Sequence, residues 1–286
     1  MTQNDFILWL QSFRSPLLDA FFTVVNATAE DNLITALAVI ILWCVDPLVG
    51  LRFLLPLLFS GYLSTFLKDF FHTARPTAEQ VRFMAVPPDG SYAFPSGHTQ
   101  NVTVLWCYLA GHYRRRPLIV AAVILIPLAG LSRIYRGAHW PVDVLGGIAI
   151  GIALVWLVFT IYHFWDRRSL SLPLCGQLAL GVGVPLVLFA AYPENSMQTG
   201  AALGMVTGFV LERRYVRFPV RLPPWKQVLK VLIGLAALFV LQMGLGSLFP
   251  VGHLFRFTRY ALIGLWGTLG APWVFRVVFG SEEKAE

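Results

Sequence analysis

Residues 132–143 read SRIYRGAHWPVD, and the run that follows them, 144–165, contains no acidic residue, lysine or arginine. An uncharged stretch of this length matches the roughly 20 residues an α-helix needs to cross the hydrocarbon of a bilayer. Pro141 suits the first turn of such a helix, where its missing N–H costs nothing. A helix starting there sets His139 and Asp143 at i and i+4, at the mouth of a membrane span. The rest of the chain agrees with that reading. Of its 286 residues 57% are hydrophobic and only 13% charged, against about 45–50% and 25% in soluble domains. The expected fold class is therefore all-α, a polytopic transmembrane helical bundle.

Working outward, apolar runs predict spans near residues 31–46, 49–67, 97–113, 117–133, 142–165, 171–192, 196–212, 228–250 and 259–279, about nine in all, with eight or seven as the alternatives. Residues 1–30 place Phe6, Trp9, Leu10, Phe13 and Leu17 at helical spacing, interrupted by Ser15-Pro16, an N-cap followed by a first-turn proline. Asp5, Arg14 and Asp19 in this stretch favour an interfacial amphipathic segment over a crossing. The chain is read as that segment (1–30), a catalytic membrane core (31–168) and a C-terminal transmembrane annex (169–286). The N-terminus has no positive region and no small-residue cleavage site, so no cleaved signal peptide is expected.

Charge supplies an orientation. The net charge of +7 resides in short loops such as Arg114-Arg115-Arg116, Arg167-Arg168 and the stretch from Arg213 to Lys226. In a nine-span count these share one side, which the positive-inside rule makes cytoplasmic. Arg256 and Arg259 fall on the other side, against the rule. No basic face with interleaved aromatics is present, so nucleic acid is not an expected partner. The nine tryptophans suit interfacial belts. Cys44, Cys107 and Cys175 lack metal-ligand or disulfide spacing and read as core-filling thiols.

Three polar clusters interrupt the apolar background, and all fall on the opposite, extracytoplasmic side. An ionisable group at the bilayer centre costs at least about 2.5–3.5 kcal/mol, so such clustering implies a use. Lys68 and Arg75 stand seven positions apart, two helical turns, so a continuous helix would aim both at one anion before Pro76 stops it. Taken alone, that pair reads as interfacial snorkelling. In Pro95-Ser96-Gly97-His98, Ser96 is a helix N-cap, Gly97 lets backbone amides approach a ligand, and His98 is placed to protonate a leaving oxygen. A plain cap with a hydrogen-bonded histidine is the alternative there. Arg133 offers a planar fork of donors to phosphate oxygens. Asp143 orients His139 so that its other nitrogen is free to attack phosphorus, unless the two form only a structural pair.

The segments KDFFHTARP (68–76), YAFPSGH (92–98) and SRIYRGAHWPVD (132–143) resemble the three-part signature of the type-2 phosphatidic acid phosphatase / vanadium haloperoxidase superfamily, over about residues 60–150. The resemblance implies a helical bundle and a metal-independent double displacement through a phosphohistidine, with no cofactor. Carried onto this chain it makes His139 the nucleophile, Asp143 its orienting partner and His98 the general acid and later base. Lys68, Arg75, Ser96, Gly97 and Arg133 become the phosphate cradle. The expected protein is an integral-membrane phosphatase of a bacterial inner or cell membrane, hydrolysing a phosphomonoester or diphosphate of a lipid on the extracytoplasmic side, with membrane lipids as its other partners. Alternatives are a phosphotransferase, a sugar-phosphate phosphatase like the glucose-6-phosphatases, or a non-catalytic lipid transporter. His72, at i+4 from Lys68, is a further pocket candidate, and Arg82 and Arg136 are candidates for a second phosphate or a headgroup.

Overall fold

The computed structural model describes residues 1–84, 91–168 and 172–280, and among these every regular element is helical. In chain order they are α1 (Gln3–Ser12), α2 (Pro16–Thr28), α3 (Asp31–Cys44), α4 (Pro47–Phe71), α5 (Gly97–Tyr113), α6 (Arg116–Tyr135), α7 (Pro141–Arg167), α8 (Leu174–Ala191), α9 (Ser196–Leu211), α10 (Pro224–Leu248), α11 (His253–Leu265) and α12 (Ala271–Phe279). The chain divides into two compact units, residues 1–35 with 59–168 and residues 36–58 with 169–286.

Among the described residues six helices are long and apolar enough to cross a membrane, counting His253–Phe279 as one because the helical turn Trp266–Gly270 joins α11 to α12, and a seventh crossing results if α2 and α3, bent by 43°, form one span. The expected nine is not what the helices give. α5 has 17 residues and α9 has 16, so at 1.5 Å per residue they reach only about 24–26 Å of a ~30 Å core. Polar Thr99, Gln100, Asn101 and Thr103 also dilute the hydropathy of α5, and Thr99, Gln100 and Thr103 are buried.

In the first unit α5 packs on both α6 and α7. Small residues on α7 permit the close crossing: a Cβ on Gly147 would stand 2.7 Å from the Ser96 carbonyl oxygen, and one on Gly151 2.7 Å from Thr103 Cβ. This is how membrane helices gain dispersion contact when lipid is as apolar as the partner. The N-terminal helices dock on the same bundle. Ile7 of α1 is fully buried with Val81, Ile134 and Val144. Gln11 donates to the carbonyls of Arg82 (2.8 Å) and Tyr135 (2.9 Å), and its own carbonyl accepts from the Arg82 amide. Gln3 accepts from the Val142 amide. Ser15 caps α2 by accepting from Leu18 N–H, with Pro16 in the first turn as expected.

The second unit is built on a close α9–α11 pair. Gly200, Gly204 and Gly208 line one stripe of α9, and a Cβ at Gly204 would overlap the Ala261 carbonyl. Lys230 of α10 is fully buried, donating to the Val220 carbonyl at 2.8 Å and lying over the rings of Phe218 and Phe275. Of the three cysteines, Cys44 and Cys107 are half-buried as filler, but Cys175 is exposed on α8, whose surface is largely apolar and open.

Candidate active site

All three polar clusters gather at one end of the first unit, where α4 and α6 finish and α5 and α7 begin. His139 closes the loop after α6, and Trp140 is the N-cap of α7. Asp143 sits in the first turn, where its Oδ2 accepts from the Trp140 amide at 2.8 Å. That bond fixes the carboxylate, which lies 3.4 Å from His139 Nδ1, an ion-pair distance longer than a formed hydrogen bond. The Asp143 carbonyl also accepts from the Ser96 amide at 3.0 Å, so the second and third clusters are joined through backbone.

Arg75 completes the environment of His139. Its Nη1 donates to the Ala138 carbonyl at 2.8 Å and lies 3.1 Å from His139 Nε2. Its Nε and Nη2 donate to the carbonyl and hydroxyl of Ser91. A guanidinium has donors only, so Nε2 must offer it a lone pair and Nδ1 must carry the proton, facing Asp143. Burial, then the positive charges of Arg75, Arg133 and Lys68, holds the imidazole well below its ordinary value. His139 is therefore neutral at neutral pH, with an electron pair on the nitrogen that points to the cations.

Arg75 reaches this position differently from the expected way. α4 ends at Phe71, and His72 adopts a left-handed conformation with φ 49°. Lys68 lies in the last helical turn, but Arg75 lies beyond the helix, since the residue before Pro76 is pushed out of the α region. The two cations thus converge through a loop and share no helix face. His72 is exposed and meets Tyr92 edge-on, with ring centroids 4.6 Å apart.

Ser96 stands at the N-cap of α5 as expected, but its side chain does not cap the backbone. It is fully buried, and its hydroxyl pairs with that of Thr99 at 2.9 Å. Gly97 presses against α4, where a Cβ would lie 3.0 Å from Ser64 Oγ. Arg133, in the last turn of α6, donates from Nη1 to Asn26 Oδ1 at 2.6 Å, while its buried Nε has no protein partner among the described residues. An unpaired buried donor costs about 1–3 kcal/mol, which an anion in the pocket would recover. Arg82 and Arg136 contribute backbone groups here, the Arg136 carbonyl accepting from Met84 N–H.

Sequence reasoning missed α2 as a wall of the site. Asn26 donates to Glu30 Oε1 at 2.9 Å, and Glu30 Oε2 lies 3.6 Å from His98 Nε2. Asp31 accepts from Asn101, whose Oδ1 accepts from Ser60. A signal existed in the polar run Asn26-Ala-Thr-Ala-Glu30-Asp31-Asn32, as anomalous among its apolar neighbours as the other three clusters.

Residues 49–167 match the model of the PAP2 superfamily, and residues 196–283 match that of the PAP2 superfamily phosphatase transmembrane extension. The chain belongs to the PAP2 superfamily. Among curated PAP2 relatives, lipid phosphate phosphatase delta of Arabidopsis thaliana is 27% identical over 74% of this chain and 56% of its own length. Lipid A 4'-phosphatase of Porphyromonas gingivalis is 28% identical over 59% of this chain and 76% of its own. Phosphatidylglycerophosphatase B of Bacillus subtilis is 34% identical over 38% and 56%. This chain thus matches little more than half the length of the first and third of them. The apolar helices and the PAP2 transmembrane extension make it an integral membrane protein.

Proposed function

We propose that this chain is a phosphatase that hydrolyses a phosphomonoester or diphosphate of a lipid through a phosphohistidine at His139. The observation that carries the reading is the setting of His139, buried with Nδ1 3.4 Å from Asp143 Oδ2 and Nε2 3.1 Å from Arg75 Nη1. Substrate phosphate draws the Arg75 donor onto a phosphoryl oxygen, which frees Nε2 for attack. Lys68, Arg75 and the unpaired Nε of Arg133 neutralise the equatorial oxygens, the dominant need in phosphoryl transfer. The Nε2–P bond forms as the bond to the leaving oxygen breaks, and His98 gives that oxygen a proton. His98 then takes a proton from water, whose oxygen attacks phosphorus and returns the N–P electron pair to His139. Charge neutralisation rests on the three cations, and no metal has a role.

A lipid substrate is supported by the names of the relatives and by exposed Phe70, Phe71, Val142 and Leu145 at the same end of the helices. An extracytoplasmic site is supported by Arg114–Arg116 and Arg167–Arg168, which occupy the opposite ends of α5, α6 and α7. The test is phosphate release in detergent from a panel of lipid phosphates, lipid diphosphates and sugar phosphates, with EDTA and vanadate arms. Wild type is expected to release phosphate from lipids, to ignore EDTA and to be inhibited by vanadate, while His139→Ala is inert. Activity that survives His139→Ala sinks the mechanism, and preference for soluble sugar phosphates sinks the substrate class.

A further inference from the structure

We infer that Glu30 is the positioning residue for His98, holding its Nε2–H so that Nδ1 serves the leaving oxygen. The inference deepens the proposed function and rests on its assignment of His98 as the proton donor. Glu30 Oε2 lies 3.6 Å from His98 Nε2, and that nitrogen is buried with no hydrogen-bond partner among the described residues. Catalytic hydrogen bonds are often long in an empty site and tighten around the reacting complex.

The carboxylate is itself held. Asn26 bridges two opposite charges: its carbonyl accepts from Arg133 Nη1 at 2.6 Å, and its amide donates to Glu30 Oε1 at 2.9 Å. Because a guanidinium only donates and a carboxylate only accepts, the Asn26 amide has a single orientation that satisfies both. Glu30 is left with Oε2 for His98. The groups facing His98 are Glu30, Asp31 and Arg133, with His139 also within electrostatic reach. Of these, Glu30 is the one at ion-pair distance. The arrangement mirrors His139 and Asp143, giving the pocket an imidazole–carboxylate pair for the nucleophile and another for the proton.

In the first step imidazolium His98 passes its Nδ1 proton to the leaving oxygen as the P–O bond breaks, becoming neutral with Nε2–H still on Glu30. In the second, Nδ1 takes a proton from the attacking water. Without the carboxylate the ring is free to turn its proton away from the leaving oxygen.

A leaving group that needs no proton separates this role from a structural one. The substrates are a long-chain alkyl monophosphate and 4-nitrophenyl phosphate, compared by kcat/KM, which reports formation of the phosphoenzyme. Glu30→Gln keeps the oxygen that Asn26 binds and puts an uncharged amide NH2 where Oε2 faces His98, removing both the charge and the acceptor for Nε2–H. It is expected to lose on the order of 10–100-fold on the alkyl ester and less than about 3-fold on the aryl ester. Glu30→Asp retracts the charge by one methylene and is expected to show the same split, smaller. Equal losses on both substrates, or none on either, overturn the inference. His98→Asn run alongside distinguishes the two levels. If it shows the split and the Glu30 variants do not, only the role of Glu30 fails; if it shows none, the assignment of His98 fails as well.

Discussion

His139 and Asp143 lie four residues apart across the start of α7, with side chains 2% and 0% exposed, whereas His98 and Glu30 come from α5 and the α2–α3 junction and are 27% and 50% exposed. The first pair is sealed, covalently close and braced by the backbone amide of Trp140. The second is assembled across the bundle, braced by Asn26, and open to solvent. The difference suits two tasks. A nucleophile has to be held neutral and fixed in direction, which burial and neighbouring cations accomplish. A proton donor has to be recharged in every cycle, which a site wholly closed to water would hinder.

The largest effect is expected at the proposed nucleophile. His139→Asn should lower kcat on the order of 10⁴-fold or more, measured as phosphate release. A variant retaining a percent of wild-type activity would erase the distinction and leave His98 as the attacking group. Asp143→Asn should cost on the order of 10³-fold, because an amide favours the wrong tautomer of His139. That loss should be equal for alkyl and aryl esters, unlike the split expected at Glu30, and a leaving-group dependence would break the assignment of sides. Arg75→Lys should lower kcat by about 100-fold and weaken vanadate inhibition, since an ammonium cannot reproduce the fork that spans Ser91, Ala138 and His139.

The smallest effect concerns stability. Burial holds His139 below its ordinary value, so between that value, about 6.5, and the lower folded one the unfolded chain binds more protons than the native one. Its contribution is constant above about pH 6.5 and falls as the solution is acidified through that window. Melting in detergent is expected to drop between about pH 7 and pH 5, with a shallower drop in His139→Asn. Parallel curves for the two proteins would show that the sealed pair is not the acid-sensitive one.

Much of the sealed pair was legible in the sequence. Pro141 and the uncharged run after it locate the start of α7, and a four-residue spacing then sets Asp143 beside His139 without any tertiary information. The same local logic failed at Arg75, where helix periodicity was carried past His72, a residue whose left-handed backbone ends α4. The count of nine spans is not confirmed either, because α5 is short and polar for a reason that no hydropathy window reports: it lies between α6 and α7 and buries Thr99, Gln100 and Thr103 there. The glycine stripe of α9 gave no reading in the sequence, because nothing local names α11 as the helix it packs against.

The sequence by itself determined an all-helical membrane protein and the residue types of the proposed phosphate cradle, because hydropathy and short spacings act through local geometry. Only the tertiary structure decided that Arg75 faces the Nε2 of His139, that the Ser96 hydroxyl pairs with that of Thr99 instead of capping a backbone amide, and that Asn26 and Glu30 wall the pocket. The contacts of Arg75 with His139 and of Asn26 with Arg133 join residues 64 and 107 positions apart. No periodicity spans such distances; the packing of α2 and α5 around α6 does.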